Sequence, residues 1–187
     1  MMRLFCSAAA SAALLSACAT PEPPYVPPPP PPPPVIVVTQ ASLDCVMAAA
    51  EADLFEVESS RVALQRSANP AVRAFAQMMI DDHTRSTNEI GAALQSLGMA
   101  PPPPTLGTAM AQRLDALRTT TGPFDAMYMH EQVLAHESAL ALHQSCSVNA
   151  QAPLAGVHAS IVPVVQGHLD QARALRDSVQ AGSGERG

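Results

Sequence analysis

The chain has 187 residues, a formal net charge of −6 and ten basic residues, all of them arginine. Without a basic run or an aromatic-interleaved basic patch, it argues against nucleic acid as a partner and against a headgroup-binding protein surface. Nearly half of the residues are hydrophobic and 19 are proline, which leaves room for one ordinary-sized core beside proline-rich segments.

Residues 1–17 read as a signal peptide. Arg3 precedes an apolar stretch from Leu4 to Leu15, much shorter than the roughly 20 residues that span a bilayer. Leu15-Ser16-Ala17-Cys18 resembles the end of a bacterial lipoprotein signal, which makes Cys18 the expected lipidated N-terminus; ordinary secretory cleavage after Ala19 is the alternative. Membrane contact would then run through the lipid anchor alone. Ala19, in place of a retention aspartate, favours the outer membrane, facing the periplasm. Residues 18–41 form a linker in which Pro21, Pro23, Pro24 and the run from Pro27 to Pro34 favour polyproline II. At ~3.1 Å per residue, residues 21–34 make a semi-rigid spacer of roughly 40 Å. Cys6 leaves with the signal, so Cys45 and Cys146 are the cysteines left in an oxidising compartment.

The domain, residues 42–180, shows no strand alternation. A first helix is expected from Leu43 to Ser67, capped by Ser42, with Leu43, Met47, Ala50, Leu54, Val57 and Leu64 on its apolar stripe. Asn69-Pro70 supplies a cap and a first-turn proline for a second helix carrying Val72, Ala76, Met79, Ile90 and Leu94, which stops near Gly98. Pro101 to Pro104 forces a connection that holds a short third helix, Thr108 to Thr119. Gly122-Pro123 opens a fourth helix to about Val148. Pro153 opens a fifth to about Gln180, with Leu154, Val157, Ile161 and Val164 buried and Pro163 inside it. Residues 181–187 read as a disordered tail. The class is therefore all-α, a four-helix bundle by default.

Three histidines continue apolar stripes: His83 between Met79 and Ile90, His136 between Val133 and Leu140, and His168 after Ile161 and Val164. Glu51 and Glu58 flank the stripe of the first helix. At about 1.5 Å per residue Glu58 and the three histidines lie roughly 20 Å from the starts of their helices, near mid-bundle. Inward side chains on facing helices are how bundles build metal sites, so Glu58, His83, His136 and His168 form a candidate set for a transition metal ion. Glu51, Asp82, Asp125 and Tyr128 are candidates for outer partners. A histidine–carboxylate polar core without metal explains the same pattern. His130, His143 and His158 read as surface or edge positions, and Glu131 and Glu137 as a solvated face. No Glu-x-x-His, His-Glu-x-x-His, Gly-x-Ser-x-Gly, phosphate loop or dinucleotide loop occurs, so no catalytic residue is assigned. Met47, Met78, Met79, Met127 and Met129 suit Cu(I) but read as core filler.

The run from Asn69 to His83, NPAVRAFAQMMIDDH, closely resembles the signature of domain of unknown function 4142. The match continues through Phe124-Asp125, Tyr128, Gln132-Val133, His136, Pro163 and His168-Leu169. The resemblance implies a ferritin-like fold, export or lipid anchoring, and no established reaction. Its recurring polar positions correspond here to Glu58, Asp82, His83, Asp125, Tyr128, His136 and His168. A ferritin-like crossover after the second helix would bring Cys146 beside Cys45 and allow a disulfide, whereas an up-down-up-down bundle would separate them. The expected function is a non-catalytic structural or stress-related envelope module, with a metal-binding ferritin-like protein as the alternative.

Overall fold

Thr39 opens the first helix: its hydroxyl accepts from the Ser42 backbone N–H at 3.2 Å, so the cap lies three residues before the expected Ser42. In the computed structural model, residues 26–27 and 37–184 are described. The signal peptide, Cys18, residues 19–25 and 28–36 of the linker, with most of the proline spacer, and residues 185–187 lie outside the described residues. The chain divides into two units, residues 1–34 and 35–187; of the first only Val26 and Pro27 are described, both exposed.

The second unit holds α1 (Gln40–Arg66), α2 (Pro70–Ser96), α3 (Thr108–Thr119), α4 (Phe124–Asn149) and α5 (Leu154–Gly184), with no strand among the described residues. Asn69 caps α2 through its side chain, and Pro70 occupies the first turn, where a missing N–H is harmless. Gly98 takes φ +81°, the left-handed conformation that suits glycine, and ends α2 ahead of the proline run. α5 continues to Gly184, past Gln180 into the segment expected to be disordered.

Contacts between helix ends fix the topology. Cys45, near the start of α1, is disulfide-bonded to Cys146, near the end of α4, with Cα atoms 5.8 Å apart. Beside it Gln151 N–H donates to Ser42 Oγ at 2.9 Å, and Thr39 N–H donates to Gln151 Oε1 at 2.7 Å. At the other end the Arg66 guanidinium stacks over the Phe124 ring, 4.8 Å from its centroid. α1 and α4 are therefore antiparallel neighbours, and the connection from α2 to α4 runs the length of the bundle. This is the ferritin-like arrangement. α3 seals the crossover: Arg113 donates to Glu131 Oε2 at 2.5 Å and stacks over Phe55, while Arg66 donates to the Leu117 carbonyl at 2.6 Å.

Two apolar clusters fill the bundle. One contains Cys45, Val46, Ile90, Leu94, Cys146, Leu154, Ile161 and Val165. The other contains Phe55, Val62, Val72, Phe75, Met79, Tyr128, Met129 and Leu169. On every long helix a buried polar residue falls at the boundary between them: Asp53 and Glu56 on α1, His83 on α2, His136 on α4, His168 on α5. The stripe of α1 is rotated from the expected one. Met47 is 58 % exposed, while Asp53, Glu56, Ser59 and Ser60 face inward. Val164 on α5 is likewise exposed.

The disulfide closes a long loop, with a sequence separation of 101. Chain-entropy models assign such a loop up to ~4–5 kcal/mol. Cys45→Ala/Cys146→Ala should lower the chemical-denaturation midpoint with unchanged helical circular dichroism; an unchanged midpoint would show that the bond adds no stability.

Candidate metal centre

His83, His136 and His168 meet at the boundary between the two clusters. Their ring centroids are 5.4–5.6 Å apart, and each offers a ligand nitrogen within 4.8 Å of the others. On each ring one nitrogen is held by a protein oxygen. His83 Nδ1 bonds Asp53 Oδ1 at 2.8 Å, His136 Nδ1 bonds the Gln132 carbonyl at 2.8 Å, and His168 Nε2 bonds Asp82 Oδ2 at 2.9 Å. A carbonyl can only accept, so His136 carries its proton on Nδ1 and leaves a lone pair on Nε2. The two carboxylates impose the same logic on the neutral forms of His83 and His168.

The opposite nitrogens, His83 Nε2, His136 Nε2 and His168 Nδ1, are buried and have no hydrogen-bond partner. Glu56 Oε2 is in the same condition, and its other oxygen lies 3.7 Å from His136 Nδ1. Leaving a buried polar atom unpaired costs ~1–3 kcal/mol. The three nitrogens come from α2, α4 and α5, whose ligand atoms lie within 4.8 Å of one another, and the buried Glu56 oxygen belongs to α1. A cation would accept the lone pairs of the three nitrogens together. Metal-ligating histidines commonly give their second nitrogen to a carboxylate or a carbonyl, as these three do.

Electrostatics prepares the lone pairs of His136 and His168. Burial, reinforced by His83, pushes His136 down to about 3, and burial pushes His168 down to about 4, so both rings are neutral at neutral pH. Burial also depresses His83, but the Asp53 hydrogen bond and the charges of Glu56, Asp53 and Asp82 outweigh it and hold the group above its ordinary value. Burial raises Glu56 to about 7, against the charges of His83 and His168 and a hydrogen bond from Gln132. A divalent ion would favour the ionised carboxylate and the neutral ring. A cavity of about 70 Å³ between α2 and α5 is lined by His83, Ser86 and His168 and by exposed Arg85 and Glu89, giving a path from solvent.

The other sequence candidates lie elsewhere. Glu58 is partly exposed and paired with Arg61 at 2.5 Å and Arg118 at 3.5 Å, so the α1 carboxylates at the cluster are Asp53 and Glu56 instead. Glu51 accepts from the Gly107 backbone N–H at 2.8 Å, tying down the crossover. Asp82 does orient His168. Asp125 lies at the start of α4, far along the helix from His136. Tyr128 bonds Ser60 Oγ at 2.9 Å and stacks on Phe124, and its contact towards the cluster runs through Phe75, which packs against both Tyr128 and His136. His130 is exposed, whereas His143 and His158 are buried, with Nδ1 atoms 3.0 Å apart. Glu131 and Glu137, read as a solvated face, pair with Arg113 and Arg173. Met79 and Met129 are fully buried in the core, as filler.

Asp53 and Glu56 escaped the sequence reading. A signal for Glu56 was present: with Cys45 facing Cys146, the residue eleven beyond Cys45 faces the residue ten before Cys146, and these are Glu56 and His136.

Residues 28–175 match the family described as Domain of unknown function (DUF4142). The chain belongs to that family. Its fold is shared with a DUF305 fragment from Deinococcus radiodurans, at TM-score 0.66 and 15 % identity over 75 % of this chain and 98 % of the other. It is shared also with CopM, solved in Cu(I)-bound and Cu(II)-bound forms, at TM-score 0.62 in both and 17 % and 18 % identity, over 73 % of this chain and 96 % of the other. No curated protein matches the sequence.

Proposed function

We propose that this protein is a lipid-anchored, periplasm-facing envelope protein whose bundle binds a transition metal ion. Glu56, His83, His136 and His168 are its ligands, and Asp53, Asp82 and the Gln132 carbonyl hold the imidazoles in their ligating tautomers. The observation that carries this reading is the set of four buried atoms without hydrogen-bond partners, one from each long helix and all capable of ligation. A non-catalytic polar core would need partners for these atoms, and the protein supplies none. Three imidazoles with one carboxylate suit borderline divalent ions, and Cu(II) stands highest in affinity among them. The copper-bound forms of CopM, which shares the fold, favour copper as the ion.

Elemental analysis of protein purified without a histidine tag from copper- and zinc-replete cells tests the proposal. One equivalent of metal in the wild type, lost in His83→Ala/His168→Ala, is expected. Metal-free protein under both conditions would refute it.

A further inference from the structure

The second buried histidine pair stands against the disulfide. Cys45, Cys146 and His158 are all buried and offer ligand atoms within 4.8 Å of one another. His158 Nδ1 is engaged with His143 Nδ1 at 3.0 Å, while His158 Nε2 is buried without a hydrogen-bond partner. A purely structural disulfide has no need of a neighbouring imidazole with one nitrogen buried and unpartnered. An apolar side chain at 158 would avoid the penalty.

We propose that this is a second metal site, closed by the disulfide and opened by reduction. A dithiol reductant gives up two electrons and two protons: its own sulfurs join in a disulfide, the Cys45–Cys146 bond breaks, and two thiols form. A divalent zinc-class ion then displaces both thiol protons to solvent and bonds Cys45 Sγ, Cys146 Sγ and His158 Nε2. His143 accepts from His158 Nδ1–H and fixes the ring, a positioning role. Two thiolates and a neutral imidazole balance one divalent charge within the apolar cluster around them, and thiolates favour zinc and other soft ions. The sulfurs stay opposed after reduction, because the Ser42–Gln151 and Thr39–Gln151 hydrogen bonds pin the same ends of α1 and α4. The site shares no residue with the Glu56 cluster and does not depend on that reading.

The full chain is treated anaerobically with a phosphine reductant and titrated with Co(II), in the wild type and in His83→Ala/His168→Ala. One equivalent of sulfur-to-cobalt charge-transfer absorption is expected in both reduced proteins and in neither oxidised one. It should be lost in Cys45→Ser/Cys146→Ser and weakened in affinity by about 10-fold or more in His158→Ala and His143→Ala. A reduced, helical wild-type chain without that absorption overturns the proposal, as does unchanged affinity in His158→Ala. If reduction lowers helicity, Co(II) should restore it; failure to do so also overturns the proposal. Failure of the Glu56 site would instead appear as oxidised wild type binding no metal at all.

Discussion

His136→Leu should abolish stoichiometric metal binding and leave the metal-free protein at least as stable as the wild type. The ring is fully buried, one nitrogen has no partner, and the Gln132 carbonyl it engages lies one turn back in the same helix. Replacing it with an apolar side chain of similar size removes an unpaired buried nitrogen, a relief of ~1–3 kcal/mol. Affinity, measured by competition with a chromophoric chelator, should fall by more than the ~10–100-fold expected for loss of an orienting partner. Asp82→Asn, which alters only the partner of His168, should fall within that range. A histidine kept for structure gives the opposite result in the melt: His136→Leu would be clearly destabilised. Rising stability with lost affinity is the signature of a site maintained for function.

Acid should destabilise the metal-free protein steeply below about pH 6.5. Burial lowers His136 to about 3 and both His143 and His168 to about 4, from an ordinary 6.5. Because the unfolded chain binds these protons first, their contribution is complete above 6.5 and is lost as pH falls towards 4. Glu56, raised to about 7 from 4.5, carries the opposite sign, since its cost appears as pH rises through that window. His83, raised above 6.5, also stabilises the fold on the acid side. Burial lowers His158 as well, so four depressed histidines set the acid-side loss against these two groups. Thermal melts in chelator between pH 4 and 8 should show a midpoint that falls below pH 6.5. A flat profile would mean that the rings are hydrated in the folded protein.

What could be read in the sequence depended on how each feature is encoded. Helix ends were legible because they are written locally: Asn69-Pro70, Gly98 and Gly122-Pro123 lie within two residues of the observed boundaries. The three histidines were legible because α2, α4 and α5 keep their polar residue inside a clear apolar stripe. α1 misled because its inward face carries Asp53, Glu56, Ser59 and Ser60. A stripe drawn through Leu43, Met47, Ala50, Leu54, Val57 and Leu64 is therefore rotated to the edge of the core and selects Glu58 over Glu56. His143 and His158 were misjudged because they are buried by pairing with each other across α4 and α5, a contact set by the tertiary fold. The cysteine pairing needed the crossover topology, which local pattern does not encode.

X-ray absorption at the metal edge of the copper-loaded, disulfide-intact protein tests whether one ion is held by His83, His136, His168 and Glu56. Three imidazole nitrogens and one carboxylate oxygen around the copper are expected, with one imidazole fewer in His168→Ala. A shell containing methionine sulfur, or one unchanged in His168→Ala, would contradict it.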